Sequence, residues 1–122
     1  MRLALATRDG KNVTQHFGRM KTYVVVDIED GAETARELRD VGGVPGHGHD
    51  NGHHRRHAHI LDAVQDCDVV IAGGMGFPIQ EHAADAGMDV ILTSVRPVDD
   101  VVAQYCAGTL LHEADRAHDH RH

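Results

Sequence analysis

The chain has 122 residues, 41% of them hydrophobic and 25% charged, and a formal net charge of −7 with its histidines neutral. That length suits one domain with a core of its own, and the negative charge disfavours nucleic acid and anionic membrane surfaces as partners. Aromatic residues reach only 3%, with no Trp, so Val, Ile, Leu and Ala must fill the core and few rings remain to stack on bases.

Arg2 to Thr7 (RLALAT) alternates and stops at the turn signal Arg8-Asp9-Gly10, which predicts a first strand. Lys21 to Ile28 (KTYVVVDI) is rich in β-branched residues, ends at Glu29-Asp30-Gly31 and predicts a second. Glu33 to Val41 has helix propensity, but its length and the preceding Asp-Gly turn favour a third strand paired as a hairpin. A loop over 42–59 follows, and then Ala58, Ile60, Leu61, Val64 and Cys67 recur at roughly helical spacing, predicting a helix from about Arg55 to Gln65.

Asp68 to Ala72 (DVVIA), closed by Gly73-Gly74, has the pattern of a buried parallel strand. Pro78 to Ala86 reads as a helix with Pro in its first turn and Gly87 as its cap. Met88 to Thr93 is another buried strand, and Val98 to Cys106 a helix ended by Gly108. The polar segment from His112 to His122, with His118, His120 and His122, is expected to fray. The order β-β-β-α-β-α-β-α predicts a three-layer α/β domain over residues 1–111, with a mixed five-stranded sheet and helices on both faces. That topology resembles the ribonuclease H-like motif.

Cys67 and Cys106 are the only cysteines and each borders an apolar pattern, so both read as reduced core thiols. Two thiols cannot complete a four-cysteine iron–sulfur site in one chain. The N-terminal apolar run is too short for a signal peptide and no run reaches membrane-spanning length, so the expected location is the cytoplasm.

Three features point to chemistry. The first is the His-rich loop, GGVPGHGHDNGHHRRHAH, with His47, His49, His53, His54, His57 and His59. Imidazole is a common ligand for borderline metals at neutral pH. His53 and His57, or His54 and His57, would share a helix face, and His47 and His49 could add loop ligands. Arg55 and Arg56 would repel a bare cation and favour an anionic ligand. The bland alternative is a solvated linker.

The second is Gly73-Gly74-Met75-Gly76, a turn opening a helix, where unpaired N–H groups could cradle an anion and Met75 could offer a thioether to a cluster or simply pack. A tight strand-to-helix turn explains it equally well. The pattern is not a nucleotide-binding loop, since neither G-x-G-x-x-G nor a Lys-Ser pair is present. The third is Asp9-Gly10…His16-Phe17-Gly18, in which His16 could be a ligand or could simply bond a backbone carbonyl while Phe17 plugs the core.

Taken in order, Arg8-Asp9-Gly10…Val13…His16-Phe17-Gly18, Tyr23-Val24-Val25-Val26-Asp27-Ile28, Cys67 through Gly76, and Tyr105…Gly108-Thr109-Leu110 resemble the dinitrogenase iron–molybdenum cofactor biosynthesis family. That family includes NifX, the C-terminal domain of NifB and the orange protein with its molybdenum–copper sulfide cluster. The resemblance spans residues 1 to about 110. It implies non-covalent binding of a metal–sulfur cluster or precursor, of Fe-Mo-S or Mo-Cu-S type, in a carrier or assembly role without catalysis. It places His16 and Gly73–Gly76 at the cluster surface and implies an assembly or recipient protein as partner to a monomer or homodimer. The histidines at 47–59 depart from the family pattern.

A second reading is a binder or buffer of Zn, Ni or Cu ions through the histidine loop, with affinity falling below about pH 6 as imidazoles protonate. A third is an enzyme such as a nuclease, but the first strand carries no interior carboxylate for a two-metal site.

Overall fold

The computed structural model describes residues 1–17, 20–41 and 61–113, and the backbone of 117–118. Its elements in chain order are β1 (Arg2–Thr7), β2 (Thr22–Glu29), β3 (Ala32–Asp40), β4 (Val69–Ala72), β5 (Met75–Gly76), α1 (Phe77–Asp85), β6 (Asp89–Leu92), α2 (Val98–Ala107) and β7 (Ala117–His118). Five strands form one mixed sheet in the order β3-β2-β1-β4-β6. β1 and β2 pair antiparallel, as do β2 and β3, whereas β1–β4 and β4–β6 are parallel.

The β2–β3 hairpin settles the ambiguous third segment. Asp30 and Gly31 both lie at positive φ, 54° and 77°. Two successive left-handed residues match the twist of the flanking strands, and Asp-Gly tolerates that geometry. The turn sets the pairs Glu29↔Ala32 and Ile28↔Glu33, a bulge then shifts the register by one residue to run from Asp27↔Ala35 to Thr22↔Asp40, and the hairpin overrides the helix propensity of β3. Because β3 is an edge strand, nearly all of it is exposed. Its charged side chains blunt the open edge.

β1 is buried on both sides, and its alternation explains how. Ala4 and Ala6 face one core with Tyr23, Val25, Val70, Ala72 and Leu92, closed by Leu61, Val64 and the α1 residues Ile79 and Ala83. Leu3 and Leu5 face the other with Val24, Val26, Val69 and Ile71, closed by Val98, Val101 and Val102 of α2. Helical segments therefore cover both faces of the sheet. α2 carries Asp99 and Asp100 in its first turn, where negative charge suits the helix dipole, and ends at Gly108 with φ 76°.

Three expectations change. The predicted helix over Arg55 to Gln65 falls partly outside the described residues. Leu61 and Asp62 are helical, and turns follow through 66, tightened by Val64 N–H to Leu61 O at 3.0 Å and Cys67 N–H to Val64 O at 2.9 Å. The short parallel pair β5–β7 was not anticipated. The segment expected to fray is anchored in its described part. His112 Nδ1 accepts the Leu92 N–H at 3.1 Å, Glu113 N–H donates to Leu92 O at 2.7 Å, and the Glu113 carboxylate takes the Ser94 N–H at 2.8 Å. The free edge of β6 supplies these partners, which a reading of tail polarity alone overlooks.

At the opposite end of the sheet, Asp66 bonds Arg39 at 2.7 Å and Arg2 at 2.5 Å, and Arg2 also bonds Asp27 at 2.6 Å. Arg39 first, then Arg2, hold the Asp66 carboxyl well below the usual carboxylate range. A depressed folded-state pKa stabilises above the unfolded value near 4 and loses that contribution as pH falls toward the folded value. With Asp66 46% exposed, solvent screening limits the effect to about 1 kcal/mol or less. Urea denaturation should find Asp66→Asn destabilised by that amount at pH 7 and closer to wild type at pH 3. An equal gap at both pH values would contradict the assignment.

Candidate functional site

The carboxyl ends of β1, β4 and β6 converge on one edge of the sheet, the place where open α/β sheets hold ligands. β1 ends at Thr7, which is fully buried. Its hydroxyl donates to Thr22 O at 2.6 Å and accepts the Gly10 N–H at 2.9 Å, while Lys21 N–H donates to Thr7 O at 2.8 Å. Arg8 and Lys21 therefore leave the sheet beside each other. Asp9 accepts the N–H groups of Lys11 and Asn12, each at 2.9 Å. These bonds lower its carboxyl pKa, so the group stays ionised and closes the turn.

The chain then crosses the end of the sheet with one anchor in each core. Val13 packs in the α2-side core and Phe17 in the α1-side core, where its ring lies 6.3 Å from that of Tyr23. Between the anchors, Thr14 N–H donates to Ala6 O at 2.8 Å and Thr14 O accepts the Gly73 N–H at 2.7 Å. Phe17 N–H donates to Gly74 O at 3.0 Å. Two further bonds reach the β6–α2 connection: Val13 N–H to Arg96 O at 2.7 Å and Val98 N–H to Lys11 O at 2.9 Å. They bring Arg96 to the far wall.

The result is an open groove of about 810 Å³ lined by Arg8, Asp9, Asn12, Val13, Thr14, Gln15, His16, Lys21 and Arg96. Arg8, Lys21, Arg96 and His16 are all exposed. Three cations face one carboxylate that is already engaged in a turn, so the groove favours an anion. Guanidinium forks and an ammonium can grip oxo or sulfido edges, and the His16 imidazole adds a nitrogen donor. Asn12, Thr14 and Gln15 contribute neutral polar groups.

Of the expected site residues, His16 lines this groove. The glycine turn instead lies beneath the loop that forms it. A Cβ on Gly73 would stand 2.7 Å from Thr14 O and 3.0 Å from Gln15 Cα, so Gly73 is glycine because backbone passes over it. Its N–H is directed to Thr14, not to an open cradle. Met75 is 1% exposed and packs in the core, the second of its two expected roles, so its sulfur does not reach the surface. Gly76 is the N-cap of α1. His47, His49, His53, His54, His57, His59, Arg55 and Arg56 lie outside the described residues, as does Gly18.

Sequence reasoning did not select Asn12, Gln15, Lys21 or Arg96, and it quoted Arg8 without giving it a role. One signal could have found the cations. Arg8 directly follows β1, Lys21 directly precedes its antiparallel partner, and Arg96 follows β6, so all three flank the same sheet edge. The cysteines offer little here. Both are free thiols, and burial pushes the Cys67 thiol up to about 12, which keeps it protonated at neutral pH. Among the described residues no cluster of three or more His, Cys, Asp or Glu could hold a bare metal ion.

The close approach at Gly73 is testable. Gly73→Ala should cost about 1–3 kcal/mol in urea denaturation, as overpacking does, and should shift the His16 ring signals in a proton–nitrogen correlation spectrum. Wild-type stability with an unmoved His16 would show that the loop does not depend on this contact.

The family model described as dinitrogenase iron-molybdenum cofactor matches residues 1–108. The solved structure of the protein PH0822 is 28% identical, with 94% of this chain and 96% of that chain covered and a TM-score of 0.74. The apo form of the orange protein from Desulfovibrio gigas is 22% identical over 93% of this chain and 92% of its own, with a TM-score of 0.70. The mj0327 protein of Methanocaldococcus jannaschii shares 12% identity over 93% and 95% of the two chains, with a TM-score of 0.69, and like the orange protein supports the fold alone. No protein of curated function matches. With nearly its whole length matched, this chain belongs to the dinitrogenase iron-molybdenum cofactor family.

Proposed function

We propose that the protein is a non-covalent carrier of an anionic metal–sulfur cluster or its precursor, held in the groove at the carboxyl edge of the sheet. The observation that carries this reading is the set of exposed cations, Arg8, Lys21 and Arg96, gathered around His16. The cluster is cargo and not a resident cofactor. Sulfido-metallates such as tetrathiomolybdate are anions, and a thiophilic metal within them accepts an imidazole. Arg8, Lys21 and Arg96 would neutralise the cargo, and His16 would ligate it or hydrogen-bond to it. Fe-Mo-S and Mo-Cu-S clusters both satisfy these requirements, and family membership supports a role in cofactor assembly or delivery to a recipient protein.

Binding through solvent-exposed cations is reversible and weakened by salt. Such binding suits a protein that receives and passes on a cluster, and no catalytic step is needed. Arg55, Arg56 and the histidines at 47–59 would then tune the affinity for one metal over another. The competing reading, a Zn, Ni or Cu buffer, places all binding in that histidine segment and needs no sulfide.

Titration with copper and tetrathiomolybdate, followed by visible absorption, separates the two. The wild-type chain should form a coloured complex that weakens with added salt. Arg96→Ala should weaken it about tenfold or more, in line with the loss of one charged hydrogen bond of about 1.5–3 kcal/mol. Deleting residues 47–59 should leave tetrathiomolybdate uptake in place. Uptake that survives loss of all three cations but disappears with that deletion would favour the buffer.

A further inference from the structure

One side of β3 faces away from the sheet, and the ladder shows which of its main-chain groups point there. Ile28 N–H donates to Met1 O at 2.8 Å, so Thr22, Val24 and Val26 turn to β1 while the alternate residues Tyr23, Val25 and Asp27 turn to β3. Their register partners Arg39, Glu37 and Ala35 therefore bond to β2. Val41 N–H, which donates to Lys21 O at 2.8 Å, continues that series. Arg36, Leu38 and Asp40 thus direct their N–H and C=O groups to the open side. In their midst Leu38 is 64% exposed, between the charged side chains of Glu37 and Arg39.

Charged side chains discourage pairing at such an edge in general, but the order of charges here admits one register. A second copy brought antiparallel about Arg36, Glu37, Arg39 or Asp40 would set that residue against its own like charge. About Ala35 it would set Glu33 against Glu37. About Leu38, however, leucine meets leucine, Glu37 meets Arg39 and Arg36 meets Asp40. That register also places outward-facing residues opposite one another, as an antiparallel ladder requires.

We propose that β3 is a self-association edge, on which a second copy of this chain pairs antiparallel about a two-fold axis at Leu38 and joins the two sheets into one. Within one chain Arg39 already bonds Glu37 at 2.5 Å and Asp66 at 2.7 Å, and Arg36 bonds Glu33 at 2.7 Å and Asp99 at 2.9 Å. The pairs between copies extend these networks. Exposed ion pairs contribute modestly, so charge selects the register, and main-chain bonds with the apposed Leu38 side chains hold the copies together. β3 runs parallel to β1, since each is antiparallel to β2. The second copy therefore directs its carboxyl edge the opposite way, and each groove stays at its own end of the joined sheet. The proposal stands apart from the carrier reading.

Sedimentation equilibrium of the full chain over a range of concentrations tests it. The wild type should show a monomer–dimer equilibrium. Leu38→Lys, which sets two like charges at the axis, should weaken association about tenfold or more. Leu38→Pro should do the same, because it removes only an outward N–H. Disulfide trapping reads the register independently, in a Cys106→Ser background. Leu38→Cys should cross-link under mild oxidation, since facing residues of a hydrogen-bonded pair lie about 5.5 Å apart at Cα. Thr34→Cys should not, because its counterpart lies about 27 Å further along the ladder. A wild type that stays monomeric to about 1 mM, the weak end of specific association, would overturn the proposal. Undiminished association of Leu38→Lys, or cross-linking of Thr34→Cys as readily as Leu38→Cys, would overturn it too.

Discussion

At the end of β4 a carbonyl oxygen occupies the space where a side chain would begin. Thr14 O lies 2.7 Å from the position of a Cβ on Gly73 and accepts the Gly73 N–H at the same distance. This contact lets residues 13–17 lie flat across the sheet, with Val13 in one core and Phe17 in the other. With those anchors in place, the carbonyl of Arg96 is within reach of Val13, and Lys11 within reach of Val98. The groove walls follow from this arrangement. A side chain at position 73 would lift the loop, and Arg8, His16 and Arg96 would lose their common frame.

The electrostatics run against the charge of the molecule as a whole. The chain carries a formal net charge of −7 with neutral histidines, yet the groove gathers three exposed cations and one engaged carboxylate. Long-range attraction of an anion is therefore weak, and local contacts must hold it. At physiological salt, charges separated by more than about 8 Å are largely screened, so the short reach of the groove determines selectivity. Exposed cations give modest, exchangeable affinity, and the His16 imidazole would add metal specificity. The arrangement is consistent with transfer of a cluster more than with permanent storage.

Much of the frame was legible in the sequence because it obeys short-range rules. RLALAT, KTYVVVDI and DVVIA carry their strand character in composition, and Asp30-Gly31 encodes the hairpin that made β3 a strand. The Gly73-Gly74 turn was visible too, as either an anion cradle or a tight strand-to-helix turn, and the close approach of Thr14 favours the second. Glycine there answers to a loop some 60 residues earlier in the chain, a contact that no local pattern reveals. Met75 illustrates the same limit, since a thioether in a turn looks available until the core closes over it. Lys21 and Arg96 are ordinary surface residues in sequence; their places beside β2 and β6 put both at one sheet edge, and the loop 13–17 makes them walls of one groove. The β5–β7 pair was illegible for a further reason: two-residue strands carry no periodicity to detect.

The central claim is that cargo sits in the groove formed over Gly73. It is tested most directly by anomalous X-ray diffraction at the molybdenum and copper edges, from crystals of protein loaded with copper and tetrathiomolybdate. The account predicts both anomalous peaks within the groove, close to His16 and the guanidinium groups of Arg8 and Arg96. Peaks confined to the segment 47–59, with the groove holding only solvent, would contradict it.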